Sequence, residues 1–299
     1  MTHAAAWDSH PLTRLVAGVD PDEGRREQFE RIYHLPTYPT WGDMIAEHRP
    51  AMVSVCTPPG VHSELVIEAL DAGASRVICE KPCTTSSQEA RSLRARLGSD
   101  AWRVGVNFTR RFDPAHRWVF ERIIQERLVA GHGFYTGGLR NTASHWLAGL
   151  LSTGSKVESV LAIPCVRDSS SPNLALRLQN GGLVCLEGGN VEDYMCFEAT
   201  LFTPENRVRL VHGGAILDVF GAHDSSRYSE YRELTEARVS PPLGLSNALL
   251  AVIDDAVRSQ EQHRSMRCTI EDAIAVHDVL GAAEESLRTG SWTAVDSSE

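Results

Sequence analysis

The residues best suited to chemistry lie in two short segments, Val53–His62 and Ile78–Pro82. Each segment begins in an apolar run that is typical of a strand buried on both faces of a parallel sheet. Doubly wound proteins bind their ligands at the carboxyl ends of such strands, so we expect both segments to contribute to one site. Lys81 could donate a hydrogen bond to a developing alkoxide or orient a substrate hydroxyl there. The alternative is that Glu80-Lys81-Pro82 is only a surface turn.

Short apolar runs alternate with helical stretches from Thr13 to about Arg111. The helix with the clearest apolar spacing runs from Val61 to Leu70 and is followed by Gly73, a typical helix-ending residue. This alternation predicts right-handed βαβ units, and therefore an α/β fold with a doubly wound, Rossmann-type parallel sheet. The predicted strands are Arg14–Asp20, Ala51–Cys56, Ser75–Cys79 and Trp102–Val106.

The pattern changes after a predicted helix from about Asp113 to Leu128. Gly133–Gly138 is interpreted as a lead-in to a short helix over His145–Leu151, and Arg167–Pro172 as a loop. The predicted strands are Val157–Pro164, Asn173–Leu178, Leu183–Gly188, Cys196–Phe202 and Val208–Val211, with a tight turn at Asn180-Gly181-Gly182 and closing helices at Ser246–Ser259 and Thr269–Leu287. We therefore expect a dinucleotide-binding-like domain over 1–112 and, over 113–299, an α+β domain with an open, mostly antiparallel sheet.

Composition excludes several classes of function. The 299-residue chain carries 39 acidic and 29 basic residues, a formal charge of −10 that disfavours nucleic-acid binding. No apolar run approaches the ~18 residues of a membrane span, and Met1–Trp7 has no secretory-signal pattern. Seven cysteines without a repeated CxxC spacing indicate reduced thiols and no zinc site. We expect a cytoplasmic protein without a metal.

Five motifs in order resemble the glucose-fructose oxidoreductase, inositol dehydrogenase and rhizopine catabolism (Gfo/Idh/MocA) family. They are Leu15–Asp22, Val55–Pro59 with His62, Cys79–Pro82, Asn107–Pro114 and Asn141–His145. The resemblance covers nearly the whole chain. It implies a dinucleotide-binding domain followed by an open-faced sheet domain, which agrees with the element pattern.

The resemblance also implies a function and the residues that carry it. The implied activity is NAD(P)-dependent oxidation or reduction of a sugar, polyol or related secondary alcohol. Lys81 would contact the nicotinamide region and the substrate hydroxyl, and His145 would be the general acid/base. The residues implied at the cofactor are Asp20, Thr57, Pro58, His62 and Glu80, and those bordering the substrate are Asn107 and Arg111.

Two of these assignments have structural alternatives. Asp20 would hydrogen-bond the adenosine ribose, but it could equally be a helix N-cap before Pro21. His145 could be a hydrogen-bonded histidine that only opens a helix.

The sequence departs from the family pattern at the site itself. Asn141 stands where many members carry an aspartate, so it could orient a hydroxyl but leaves the proton transfer to His145. Ala148 stands where another acidic residue often follows the histidine.

A second departure lies at the start of the sequence. The family begins with a strand and a Gly-x-Gly-x-x-Gly turn that binds the pyrophosphate, whereas Thr2–Pro11 resembles the helix that follows. The missing turn counts against the binding of NAD or NADP. We expect the flanking strands to close up, another segment to replace the strand, or the natural start to lie elsewhere.

Two other functions remain open on the sequence alone. The protein could be a non-redox relative that serves as a binding or assembly subunit. It could also be a lyase, epimerase or cyclase that reuses Lys81 and His145 as an acid/base pair. In each case the expected partners are a small-molecule substrate and further copies of the chain, paired through the open sheet.

Overall fold

The computed structural model describes residues 1–238 and 247–296, and the chain divides into two compact units. The first unit comprises Met1–Thr85, Ser92–Asn107 and Leu249–Ile270. The second comprises Ser86–Arg91, Phe108–Ala248 and Glu271–Glu299. The predicted domain division after residue 112 stays a prediction.

The first unit contains two small parallel sheets. One consists of β1 (Gly18–Val19) and β2 (Thr37–Tyr38), and the other of β3 (Met52–Val55), β4 (Arg76–Glu80) and β5 (Val104–Asn107), with β4 in the middle. Helices alternate with these strands as the sequence predicts, and the α/β, Rossmann-type class is confirmed. The helices in this part of the chain are α1 (His3–Ser9), α2 (Glu23–Tyr33), α3 (Trp41–Glu47), α4 (His62–Asp71) and α5 (Ser87–Leu97), and α8 (Ala248–Glu261) joins them from later in the chain.

The strands of the first unit differ in how well they are covered. On β4 and β5, Val77, Ile78 and Val106 are no more than 1% exposed, as expected for strands with neighbours and helices around them. On β1, by contrast, Val19 is 39% exposed. The predicted strand over Arg14–Asp20 is therefore wrong in length, because only Gly18–Val19 has a strand partner.

The two sheets do not join. Within the described residues no strand pairs with β1 on its side away from β2, or with β3 on its side away from β4. The sequence left open whether these strands would close up, and among the described residues β1 and β3 stay apart.

The second unit is built on one continuous sheet. Its nine strands follow the order β13-β12-β11-β10-β6-β9-β8-β7-β14, and every neighbouring pair is antiparallel except β6 and β9. The predicted open, mostly antiparallel sheet is confirmed. The strands are β6 (Ala130–Thr136), β7 (Val157–Ile163), β8 (Asn173–Leu178), β9 (Leu183–Gly189), β10 (Phe197–Phe202), β11 (Asn206–Val211), β12 (Ile216–Asp224), β13 (Arg232–Arg238) and β14 (Thr293–Ala294).

Four strands of this sheet were not predicted, namely β6, β12, β13 and β14. The segment Gly133–Gly138 begins inside β6 and does not lead directly into a helix. Glycine is needed in this strand because the neighbouring strand β10 approaches it closely. A Cβ atom at Gly133 would lie 2.6 Å from the carbonyl oxygen of Glu198 on β10. Of the other three, β12 and β13 pair with each other along seven residues.

Three helices complete the second unit, α6 (Pro114–Glu126), α7 (Ser144–Ser152) and α9 (Ile270–Thr289). Asp113 caps α6, since its side chain accepts a hydrogen bond from the backbone N–H of His116. Ser246, the predicted first residue of the helix observed as α8, lies outside the described residues.

Neither a membrane-spanning helix nor a metal-binding cluster occurs in the described residues. None of the helices in the described part of the chain is both long and apolar enough to cross a bilayer. Residues 1–238 and 247–296 also contain no group of three or more histidine, cysteine or acidic side chains placed to hold a metal ion.

Candidate active site

The carboxyl ends of β4 and β5 carry a network of polar side chains centred on Glu80. One carboxylate oxygen, Oε1, lies 2.7 Å from Nε2 of His3 and accepts a hydrogen bond from Nδ2 of Asn107, also at 2.7 Å. The other oxygen, Oε2, accepts from the backbone N–H of Lys81 at 3.1 Å. The network therefore brings together three residues predicted from the sequence, Glu80, Lys81 and Asn107.

His3 is the member of this network that sequence reasoning missed. Its Nδ1 lies 3.0 Å from Oγ of Ser54, which also accepts a hydrogen bond from the indole N–H of Trp7 at 2.8 Å. Burial opposes a charge on the ring, but hydrogen bonds to Cys56 and Glu80 outweigh it and raise the pKa of His3 to about 9. The sequence feature that could have pointed to His3 was the presence of a histidine in the helical segment Thr2–Pro11.

Lys81 directly follows β4 and is the only residue of this network with a side-chain amine. Burial lowers the pKa of its ammonium group, and the nearby carboxylate of Glu80 partly opposes that shift. A lysine with a lowered pKa gives up its proton more readily than an exposed lysine, so it is suited to donating a proton or a hydrogen bond to an oxygen.

His62 occupies a structural position between two loops. Its ring nitrogens lie 3.0 Å from the carbonyl oxygen of Pro82 and 2.6 Å from that of Thr57, and the residue is only 1% exposed. These contacts tie the loop after β3 to the loop after β4. We infer that His62 fixes the positions of Thr57 and Pro82 through these contacts to their carbonyl oxygens.

A cavity of about 1110 Å³ lies within the first unit, along β1 and β3. Asp20, Thr57 and Pro58, all predicted at the cofactor, line this cavity together with His3. The cavity thus links the predicted cofactor residues to the network around Glu80, through His3.

Asp20 does not cap the following helix. The N-cap of α2 is Asp22, whose carboxylate accepts from the backbone N–H of Arg25 at 2.9 Å. Asp20 instead accepts from the backbone N–H of Asp22 at 2.9 Å, with its side chain about one-third exposed beside the cavity. The alternative that Asp20 is an N-cap is therefore wrong, because the chain enters the helix two residues later.

The second unit holds the remaining predicted residues, Arg111, Asn141 and His145. Arg111 lies in a short turn that packs against α7, and its Nη1 forms an ion pair at 2.7 Å with Oδ1 of Asp272. His145 lies in the first turn of α7 and is half-buried, with the ring of Phe108 edge-on at 6.0 Å between centroids. Asn141 is exposed in the turn that precedes α7.

The turn that leads to His145 is held by a polar loop. Gly137 and Gly138 have positive φ angles of 90° and 94°, a conformation that favours glycine. The backbone N–H of Gly138 donates to Oγ of Ser171 at 2.9 Å, and that hydroxyl donates to the carboxylate of Asp168 at 2.8 Å. The loop predicted at Arg167–Pro172 therefore supports the turn that carries Asn141.

The first part of the chain is similar in sequence to known proteins. Residues 1–108 match the profile of a family described as "Oxidoreductase family, NAD-binding Rossmann fold". The scyllo-inositol 2-dehydrogenase (NAD(+)) of Bacillus subtilis is 31% identical over 119 residues, which are 38% of this chain and 34% of the relative. An inositol 2-dehydrogenase of Leifsonia xyli is 27% identical over 168 residues, or 53% of this chain and 49% of the relative. The chain thus spans between a third and a half of the length of these curated relatives.

Solved structures extend the likeness of fold over the whole chain. A levoglucosan dehydrogenase in complex with NADH and levoglucosan superposes with a TM-score of 0.82 at 17% identity, covering 98% of this chain and 95% of that one. At this identity the likeness shows the fold alone. Over residues 1–108, about a third of the chain, the sequence is similar to the GFO_IDH_MocA family of oxidoreductases with an NAD-binding Rossmann fold.

Proposed function

We propose that this protein is an NAD(P)-dependent oxidoreductase that acts on a sugar, polyol or related secondary alcohol. The observation that carries the proposal is the network that joins Lys81, Glu80 and Asn107 at the carboxyl ends of β4 and β5. Its member His3 also lines the cavity that contains Asp20. Doubly wound proteins bind their ligands at this edge of the sheet.

The cavity supports a dinucleotide as the cofactor. The Asp20 carboxylate, at the end of β1, is an acceptor suited to a ribose hydroxyl, which favours NAD over NADP. Thr57 and Pro58 line the same cavity, His62 contacts the carbonyl oxygen of Thr57, and Glu80 contacts the ring of His3, which also lines the cavity. When bound, the nicotinamide supplies the acceptor or donor of the hydride.

Lys81 is assigned to the substrate oxygen. Its lowered pKa makes its ammonium group a stronger hydrogen-bond donor toward an oxygen that gains negative charge. Glu80 holds the backbone of Lys81 by accepting its N–H, so the carboxylate positions the lysine without replacing it as the donor.

His145 is assigned to the proton of the reacting hydroxyl. An imidazole titrates near neutral pH and can act as base in one direction of the reaction and as acid in the other. Asn141 cannot accept a proton, so we assign it to orienting a hydroxyl. Arg111, fixed by Asp272, is assigned with Asn107 to the polar border of the substrate.

The relatives indicate the chemical class of the substrate. Two of them are named as inositol dehydrogenases, and one solved neighbour was determined with levoglucosan. These molecules share a ring that carries several secondary hydroxyl groups. We assign this chain to a substrate of that class.

The test measures cofactor binding and turnover separately. Titration with NADH, followed by fluorescence, is expected to saturate below millimolar concentration. A panel of inositols, sugars and anhydrosugars is then screened with NAD for reduced dinucleotide at neutral to alkaline pH. No NADH binding at millimolar concentration would contradict the proposal. A product formed without any change in the dinucleotide would instead favour a lyase, epimerase or cyclase.

Lysine variants provide a matched comparison, since the chain contains only Lys81 and Lys156. We expect Lys81→Met to lower kcat by about a hundredfold with NADH binding retained, a loss typical of removing an oxyanion donor. Lys156 is exposed in the second unit, and Lys156→Met is expected to leave kcat unchanged. Equal activity of both variants would remove Lys81 from the mechanism.

The outer face of the nine-stranded sheet is assigned to contact between copies of the chain. Five residues that are not buried form a row across this face, each paired in register with the next on the adjacent strand: Leu161, Ala175, Cys185, His132 and Thr200. Light scattering of Cys185→Glu is expected to show a smaller assembly than the unmodified chain. An unchanged molar mass would assign the contact to another surface.

A further inference from the structure

The ring of His3 lies between two strands of the first unit. Thr2 caps α1, since its hydroxyl accepts a hydrogen bond from the backbone N–H of Ala5 at 3.2 Å, and the cap places His3 in the first turn of the helix. The Nδ1 atom of the ring lies 3.0 Å from Oγ of Ser54 on β3, and Nε2 lies 2.7 Å from Oε1 of Glu80 at the end of β4. Both ring nitrogens therefore have a polar partner, and the side chain is only 12% exposed.

The carboxylate of Glu80 connects His3 to Lys81 through its two oxygens. Oε1 contacts His3 and also accepts from the amide of Asn107, whereas Oε2 accepts from the backbone N–H of Lys81. Burial would raise the pKa of Glu80, but hydrogen bonds from His3 and Asn107 lower it below its ordinary value. An ionised carboxylate only accepts hydrogen bonds, so Nε2 of His3 carries a proton in this contact.

The charge of the His3 ring balances that of Glu80. Among the described residues, the titratable groups that face the ring are Cys56, directly after β3, and Glu80, at the end of β4. The Ser54 hydroxyl and the Asn107 amide also face it and carry no charge. Burial opposes protonation, but hydrogen bonds to Cys56 and Glu80 raise the pKa of His3 to about 9. The ring is therefore positively charged at neutral pH, directly beside the carboxylate.

The ammonium group of Lys81 interacts with the same carboxylate. Burial lowers the pKa of Lys81, and the negative charge of Glu80 partly opposes that shift. A carboxylate without a second positive neighbour would attract the ammonium group more strongly and would compete with a substrate oxygen for its N–H donors. The positive charge on His3 reduces this attraction. The state of His3 therefore decides how strongly Glu80 acts on Lys81.

We propose that His3 is a positioning residue for Lys81, because its protonated ring holds and neutralises Glu80 and so leaves the ammonium group of Lys81 to bind the substrate oxygen. The inference rests on the proposed function for the role of Lys81, whereas the coupling of His3 to Lys81 requires no substrate. If His3 only fastened α1 to β4, its loss would lower the stability of the fold without changing the titration of Lys81.

The first experiment titrates the two lysines of the chain, Lys81 and Lys156. The full-length chain is reductively methylated with 13C-formaldehyde, the lysine signals are followed by NMR from pH 6 to 11, and Lys156→Met assigns them. His3→Gln keeps an uncharged N–H donor, so we expect it to raise the pKa of Lys81 by about one pH unit and to leave Lys156 unchanged. The control His223→Gln, at an exposed position on β12, should change neither lysine.

The kinetics of the same variants test the consequence for the reaction. In the unmodified chain kcat should fall as pH rises through about 9, where His3 loses its charge. His3→Gln should lower kcat at pH 7 by about tenfold, with KM for NAD within about twofold of the unmodified chain. Its alkaline fall should move to higher pH, because Lys81 then keeps its proton longer. A merely structural role would reduce the amount of folded protein without moving the pH profile.

An unchanged titration of Lys81 in a folded His3→Gln variant would overturn the proposal, and so would an unchanged kcat with an unchanged pH profile. If His3→Gln does not fold, the unmodified chain decides the question. Its Lys81 signal must show an inflection at the pH at which the His3 ring titrates, and independent titration of the two groups would overturn the proposal. The absence of NADH binding would contradict the proposed function, and the lysine titration would still decide whether His3 acts on Lys81.

Discussion

The parallel sheets of the first unit and the mixed sheet of the second differ in how completely their strands are paired. In the second unit β6 has a partner on each side, and Tyr135 on this strand is fully buried. In the first unit β1 has one partner, and its Val19 is 39% exposed. An apolar strand residue is therefore buried only where neighbouring strands and covering elements surround it, and the sequence run by itself does not ensure burial.

This difference predicts that a helix N-cap contributes more to the free energy of unfolding in the second unit than in the first. Asp113 caps α6 while 1% exposed, and its carboxylate also lies 2.7 Å from Nδ1 of the buried His116. Asp22 caps α2 from an exposed position. We expect Asp113→Ala to lower the free energy of unfolding by about 3 kcal/mol, because it also leaves a buried ring N–H unsatisfied.

The matched variant Asp22→Ala removes a cap but no buried partner. We expect a loss of about 1 kcal/mol in urea unfolding followed by circular dichroism. Equal losses for the two variants would show that burial does not distinguish these caps.

A second pair of variants tests the close approach of strands in the continuous sheet. At Gly133 a Cβ atom would lie 2.6 Å from a backbone oxygen of β10, so Gly133→Ala should destabilise the chain by about 2 kcal/mol. At Gly221 on β12 the nearest atom would be 3.9 Å away, and Gly221→Ala should stay within about 0.5 kcal/mol. Thermal unfolding of both variants measures the contrast, and similar melting temperatures would contradict it.

The polar network of the first unit should make stability depend on pH. Against the effect of burial, hydrogen bonds to Cys56 and Glu80 raise the pKa of His3 to about 9, above its ordinary 6.5, so its protonated ring stabilises the fold fully below pH 6.5. This contribution is lost as pH rises through 9. Urea unfolding between pH 6 and 10 measures the slope, which His3→Gln should flatten.

The control for this slope is His223→Gln, at an exposed position on β12. It should retain the slope of the unmodified chain. If His3→Gln retains it as well, the protonation of His3 does not carry the pH dependence.

The smallest effect is expected in the loop that supports the turn before α7. Asp168→Asn weakens the acceptor for Ser171, whose hydroxyl also accepts from the N–H of Gly138. We expect a loss of about 1 kcal/mol, because the carboxylate is partly exposed, and severalfold faster amide exchange at Gly138. Asp193→Asn, which removes only an exposed ion pair with Arg167, should leave that exchange unchanged.

Sequence patterns predicted the elements whose signal is local. The parallel strand Arg76–Glu80 lies within one residue of its predicted bounds at each end, because a continuous apolar run is sufficient to identify it. The same holds for Asn173–Leu178, where apolar residues alternate and a tight turn follows. These runs indicated both the class of each sheet and the end at which the polar network lies.

Elements defined by distant partners were not predictable in this way. Arg232–Arg238 is rich in charged residues and resembles an exposed helix, yet it forms a strand because β12 offers it an open edge. β6 contains Gly131 and Gly133, which disfavour a strand locally but allow the close approach of its neighbours.

The candidate site was predicted in part for the same reason. The positions of Glu80 and Lys81 follow directly from the end of β4, whereas His3 reaches Glu80 only through the fold of a segment 77 residues earlier. Helical spacing gives no indication of such a contact. The identification of Asp22 as the helix cap likewise required the backbone conformation.

The pairing of β6 has a consequence for synthesis on the ribosome. Its two neighbours, β9 and β10, begin at residues 183 and 197, long after β6 ends at residue 136. A nascent chain that has emerged only as far as β8 therefore contains a central strand with both edges open. Long-range pairing of this kind folds slowly, so protection by a chaperone should matter most while residues 137–202 are being translated.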